Sequence, residues 1–127
     1  MKTKLFMLFA VICLAFAASE AKAQQCNFPL ENATRCAFRF EVFWDCGGTL
    51  YTTSGTVNAQ SSISSTAPFT NPCTCTFLRV ALQDCNGNWI SFDPSFNPSG
   101  TICDCNNNTA NVSINTNSGG YYVYIYP

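Results

Sequence analysis

Cys36-Ala37-Phe38-Arg39-Phe40-Glu41-Val42-Phe43-Trp44-Asp45-Cys46-Gly47-Gly48 gives the key to the architecture, because Cys75-Thr76-Phe77-Leu78-Arg79-Val80-Ala81-Leu82-Gln83-Asp84-Cys85-Asn86-Gly87 repeats its plan. In both stretches nine residues separate two cysteines, Asp precedes the second, and Gly follows two positions later. The residues between are aromatic and branched and include no Pro or Gly, as a strand requires. Gly47-Gly48 and Asn86-Gly87 suit the central positions of a type I′ turn, where both residues take positive φ. Each stretch is therefore expected to open a β-hairpin. A third unit lacks the second cysteine: residues 110–117, then Ser118-Gly119-Gly120, then residues 121–126. The connectors 58–72 and 93–105 are rich in Pro, Ser, Asn and Thr and read as loops.

A two-residue turn sets the pairing register. In the first hairpin Cys46 should face Thr49, Trp44 should face Tyr51, Val42 should face Thr53 and Phe38 should face Val57. Phe38, Phe40, Val42, Trp44, Tyr51 and Val57 then share one face. Arg39, Glu41, Thr52, Ser54 and Thr56 share the other, with Phe43 as an exception. The second hairpin is ambiguous: Leu78, Val80, Leu82 and Trp89 alternate against Phe77, Ala81, Cys85, Ile90 and Phe92. Either it is covered on both sides or a bulge changes its register. In the third hairpin Thr116 is expected opposite Val123 and Ile114 opposite Ile125, with Val112, Ile114, Val123 and Ile125 facing the core. The expected fold is a small, all-β, disulfide-stabilised antiparallel sandwich of three hairpins, with a seventh strand in residues 27–35. A small β-barrel is the alternative.

Residues 1–23 read as a secretory signal. Lys2 and Lys4 precede an apolar run at 5–18 that is short for a membrane span, and Ala21-Lys22-Ala23 is an A-x-A cleavage site. The expected mature chain, 24–127, is one domain that is secreted, periplasmic or held at the cell surface, with no membrane span. It carries three arginines against six carboxylates, a net charge of −3, and has no Lys, His or Met. Nucleic acid is therefore not an expected partner. Ser or Cys nucleophiles lack their usual base, and Glu41 lies beside Arg39 on a polar face, so no enzymatic activity and no catalytic residue are expected. The sequons at Asn32, Asn107 and Asn111 would accept glycans in a eukaryotic secretory pathway.

Cys26, Cys36, Cys46, Cys73, Cys75, Cys85, Cys103 and Cys105 remain after signal removal, an even number that predicts four disulfides. Cys-x-Cys spacing without His argues against zinc, and no metal or other cofactor is expected. Cys36 and Cys46 bracket one extended strand and would lie about 30 Å apart, too far to bond. The same holds for Cys75 and Cys85. A simple meander would place Cys46 and Cys85 together at the hairpin tips, and favours a Cys46–Cys85 bridge. Asp84-x-Asn86-x-Asn88 and Asp104-x-Asn106-x-Asn108 open like calcium loops, but lack the Gly and Glu such loops need. Turn chemistry is the simpler account.

The candidate ligand surface is on the third hairpin. Tyr122, Tyr124 and Tyr126 alternate away from the core, opposite Ser113, Asn115 and Asn117 on the neighbouring strand. Aromatic rings beside amides and hydroxyls suit a sugar. The expected function is a non-enzymatic binding or adhesion module for a glycan or protein ligand at the cell surface. Two alternatives stand beside it. Residues 121–126 are uncharged and β-prone, and as an edge strand they would support self-association in a structural or fibre subunit. The Pro-bounded loop 93–100, with Phe96 at its centre, would serve a small inhibitor or effector. The simpler reading of Phe96 is a plug over the open end of the sandwich.

Overall fold

Gly47 and Gly48 take φ of 65° and 91°, as the type I′ turn demands. They join two strands of the computed structural model, which describes residues 25–70 and 72–127. The signal-peptide reading of residues 1–23 lies outside them. The described residues form nine strands and no helix: β1 (Asn27–Asn32), β2 (Phe38–Cys46), β3 (Thr49–Val57), β4 (Ser61–Thr66), β5 (Cys75–Gln83), β6 (Trp89–Phe92), β7 (Ser99–Cys103), β8 (Thr109–Asn117) and β9 (Gly120–Tyr126). They make a five-stranded sheet, ordered β4-β1-β9-β8-β7, and a four-stranded sheet, ordered β3-β2-β5-β6. The two sheets do not close into a barrel, so the fold is a small disulfide-stabilised sandwich.

The first hairpin pairs as its turn dictates, from Phe38 opposite Val57 to Cys46 opposite Thr49. Phe38, Phe40, Val42, Trp44 and Val57 are buried, and Tyr51 packs against them. Gly55 lies opposite Phe40, where a Cβ would stand 2.9 Å from the ring, so the close approach explains the glycine. Phe43, the exception on the outer face, is covered by the Arg79 guanidinium 4.2 Å from its ring centre.

The ambiguity of the second hairpin resolves as a bulge. The β2–β5 register shifts between Phe43, opposite Arg79, and Trp44, opposite Phe77, leaving Leu78 as the extra residue. Phe77, Val80 and Leu82 therefore all point inward, with Ile90 and Phe92 opposite Leu82 and Val80. Leu78 and Trp89 point out, 39% and 41% exposed. The turn also differs from the sequence expectation. Gln83 pairs with Trp89, so the loop has five residues, and of Asn86 and Gly87 only Gly87 has positive φ. The Asp84 carboxylate organises this loop by accepting from the Asn86 and Asn88 amides at 2.9 and 2.8 Å. Asp104 does the same for Asn106 and Asn108 at 2.8 and 3.0 Å. The repeated D-x-N-x-N pattern is thus a repeated turn.

The third hairpin is offset by two residues from expectation. Thr116 lies opposite Tyr121, Ile114 opposite Val123 and Val112 opposite Ile125, around a two-residue turn at Ser118-Gly119. A slip of two preserves the faces, and Val112, Ile114, Val123 and Ile125 remain buried. The connectors read as loops contain β4 and β7, and residues 27–32 form β1. β1 pairs parallel with β9, a departure from the all-antiparallel expectation. β9 thus has a hydrogen-bonded neighbour on each side, so residues 121–126 are not an edge strand.

The missed strand β4 also corrects the disulfides. After β3 the chain crosses to the other sheet as β4, then returns as β5 antiparallel to β2. The start of β5 meets the end of β2, so Cys46 bonds Cys75 rather than Cys85. Cys85 bonds Cys103, Cys36 bonds Cys105 and Cys26 bonds Cys73, which accounts for all eight cysteines. Cys85–Cys103 ties the β5–β6 loop of one sheet to β7 of the other.

Aromatic packing joins the sheets. Phe28 of β1 stacks on Phe77 of β5 at 4.2 Å between ring centres, and Trp44 meets Phe77 edge-on at 6.2 Å. The Trp44 indole N–H donates to Thr53 Oγ1 at 2.8 Å, and Thr53 Oγ1 lies 2.8 Å from Ser65 Oγ on β4. Thr53→Val leaves the indole N–H unpaired, and is expected to cost about 1–3 kcal/mol in urea unfolding, whereas Thr53→Ser keeps the bond and most of the stability.

Candidate functional site

Alternation in β9 sends Val123 and Ile125 into the core and leaves Tyr122, Tyr124 and Tyr126 half-buried on the outer face of the five-stranded sheet. The register places Asn115 opposite Tyr122, Ser113 opposite Tyr124 and Asn111 opposite Tyr126. On its other side Tyr124 is matched by Glu31 of β1, which pairs with Ser62 of β4, while Ser113 pairs with Ser99 of β7. One row, Ser62–Glu31–Tyr124–Ser113–Ser99, therefore crosses all five strands. The next begins Tyr126–Asn111–Thr101.

Of the residues expected at the site, Tyr122, Tyr124, Tyr126 and Asn115 lie together on this face. Asn117 ends β8 on the same face, opposite Gly120, and its Oδ1 accepts from the Gly119 amide at 2.8 Å, which holds the turn. Asn111 takes the place beside Tyr126 that the shifted register vacates. Glu31, Ser62, Ser99 and Thr101 join the surface through pairings between distant segments, which no local spacing signals.

The rings are not laid flat. Tyr124 and Tyr126 stack on each other, with centres 4.9 Å apart and planes 16° from parallel. Their mutual faces are occupied, so they offer edges and hydroxyls outward. Asn115 Nδ2 donates to Ser113 Oγ at 3.0 Å, which fixes the amide beside Tyr122 and Tyr124. The surface is thus an ordered array of hydroxyl and amide groups with aromatic edges between them. Its electrostatics are simple: Glu31 is the one charged side chain in the five strands of this sheet. Arg39 and Arg79 lie on the four-stranded sheet.

Two shallow clefts border the array. One, of about 310 Å³, is lined by Glu31, Asn32, Ala33, Gln60, Ser61 and Ser62. The other, of about 450 Å³, opens where β1 begins and β8 turns into β9, among Asn27, Pro29, Asn117 and Gly119. Strand spacing of about 4.8 Å and a rise of about 3.3 Å per residue make the array roughly 19 Å across the strands and 13 Å along Tyr122–Tyr126. That footprint suits several linked rings better than one small molecule.

No family model, no curated protein and no solved structure matches this chain. Fold and site define its class, a small disulfide-rich β-sandwich with an uncovered polar, tyrosine-bearing sheet face.

Proposed function

We propose that this protein is an exported, non-enzymatic binding module that recognises neutral carbohydrate through the outer face of its five-stranded sheet. The observation that carries the reading is the row Ser62–Glu31–Tyr124–Ser113–Ser99 on a sheet with one charged side chain. A neutral polyhydroxylated ligand matches this array because each hydroxyl both donates and accepts, as do Ser, Tyr and Asn side chains. An anionic ligand finds no cation on these strands. Export is supported by the disulfides, which persist in oxidising compartments. The signal-like residues 1–23 support it too.

Binding to insoluble neutral polysaccharides and to soluble oligosaccharides tests the proposal. Tyr124→Ala is expected to weaken binding about tenfold or more. Trp89→Ala, on the outer face of the other sheet, should leave it unchanged, and so should added salt, because no ion pair is involved. Equal binding by wild type and Tyr124→Ala to every glycan retained would refute the assignment.

A further inference from the structure

Of the four bridges, Cys85–Cys103 is the one that a reagent in solution reaches most readily. Cys85 is exposed in the β5–β6 loop, and Cys103, at the end of β7, is half-buried. Cys46 and Cys75 are both buried, 8% and 0% exposed. Cys105 is exposed, but its partner Cys36 lies in the core. Cys26 and Cys73 are both half-buried.

Exchange with a thiol needs more than access. The attacking thiolate takes one sulfur and expels the other as a thiolate, so the reaction quickens as the leaving sulfur becomes easier to charge. N–H groups aimed at that sulfur have this effect. Cys103 Sγ has two of them: the Cys85 backbone amide donates to it at 3.1 Å and Asn86 Nδ2 at 3.9 Å. Cys36 Sγ also accepts, from Asn106 Nδ2 at 3.5 Å, but expelling it would leave a charge in the core. Among the described residues, every N–H bond to sulfur goes to Cys103 or Cys36 and none to Cys26 or Cys73. The neighbouring carboxylates are already engaged, Asp84 by the Asn86 and Asn88 amides and Asp104 by the Asn106 and Asn108 amides. Access and polarity therefore agree on one bridge and one direction of attack.

We propose that Cys85–Cys103 is a thiol-exchange site, at which a small thiol becomes covalently attached to Cys85. The thiolate of the small molecule attacks Cys85 Sγ and a new S–S bond forms there. The Cys85–Cys103 bond breaks, and its electron pair leaves on Cys103 Sγ. One disulfide is lost and one is gained, so the thiol is the only co-reactant. The fold tolerates the step. The Cys85 amide also donates to Cys103 O at 3.1 Å, and the Asp84 amide to Asn88 O at 2.8 Å, so the loop and β7 stay joined when the sulfurs part. This inference does not rest on the carbohydrate reading.

The probe is reduced glutathione, added in excess to the oxidised protein under native conditions. Samples are quenched in acid, alkylated with N-ethylmaleimide and mapped by mass spectrometry. The first product should carry glutathione on Cys85 and the alkyl group on Cys103, with the other three bridges intact and an unchanged circular dichroism spectrum. It should form about tenfold or more faster than any other bridge opens. Replacing Cys85 and Cys103 together by serine should abolish this fast phase and leave the slow ones. Glutathione found first on Cys103, first opening at another bridge, all four bridges opening together, or a fast phase that persists in the serine variant would each overturn the proposal.

Discussion

Replacing both Cys36 and Cys105 by alanine is expected to lower the unfolding free energy by about 4 kcal/mol, measured by urea titration of the oxidised protein. This bridge closes the longest loop of the four, with a sequence separation of 69 against 47, 29 and 18 for the others. In the chain-entropy account the denatured state regains the most freedom when the longest loop is opened. Position adds to length. Cys36 is 2% exposed at the entrance to β2, and Cys105 sits in the β7–β8 turn of the facing sheet. Losing the bridge removes a clamp between the layers as well as a constraint on the unfolded chain. Removing Cys85 and Cys103 together should cost about 3 kcal/mol by the same account. An urea midpoint unchanged by the Cys36/Cys105 double replacement would show that the layers hold without the clamp.

Asn32→Ala should cost about 3 kcal/mol or more. Asn32 is 1% exposed at the inward end of β1, an unusual place for an amide. Its Nδ2 donates to Cys36 O at 2.6 Å and Asn58 O at 3.0 Å, and its Oδ1 accepts from the Thr34 amide at 3.0 Å and the Thr34 hydroxyl at 2.8 Å. Four bonds from one side chain thus fold the 32–36 turn, which carries the chain from one sheet to the other, and pin it to the end of β3. Alanine leaves the buried Thr34 amide without its partner and takes one donor each from the Cys36 and Asn58 carbonyls, which keep the Thr34 and Ser61 hydroxyls at 3.1 and 2.8 Å. Urea unfolding measures the loss, and Asn111→Ala, on the half-exposed outer face, serves as the control with a change under about 0.5 kcal/mol. The same geometry bears on the Asn32 sequon. A glycan on Nδ2 would remove a donor and place a sugar inside the sandwich, so the folded protein is compatible with modification at Asn107 or Asn111 but not at Asn32.

How much of this the sequence disclosed depends on how local each determinant is. The first hairpin was legible throughout, because Gly47-Gly48 admits one tight turn and that turn fixes the pairs. The second was not, since the Asp84 carboxylate builds a longer loop and Leu78 bulges only because β2 lies beside it. β4 and β7 escaped notice because Ser61–Thr66 and Ser99–Cys103 offer Ile63 and Ile102 as their only large apolar residues. Both are edge strands, whose pairing on one side is settled by neighbours distant in sequence. Missing β4 had a direct consequence: without it the chain reads as a meander, and the Cys46 partner comes out wrong.

The tyrosine face was legible by alternation alone, and it survived a two-residue error in register because the side-chain period is two. Its boundaries were not. Asn117 ends β8 and spends its side-chain oxygen on the turn, and Glu31, Ser62, Ser99 and Asn111 reach the site through strand order. Phe96 misled for a related reason. An apolar residue in a polar loop usually caps a core, but Phe96 is 94% exposed, held away by the Ser95 and Phe96 amides donating to Asp93 Oδ1 and by Asn97 Nδ2 donating to Ser91 O.

A ¹⁵N-resolved NMR titration of the oxidised protein with a panel of neutral oligosaccharides tests the proposed carbohydrate binding by the outer face of the five-stranded sheet. Binding should move the amide signals of Glu31, Asn111, Ser113, Tyr124 and Tyr126 in a saturable way for at least one sugar, and leave β5 and β6 unmoved. Saturable shifts confined to the four-stranded sheet, or no shift for any neutral sugar at millimolar concentration, would contradict it.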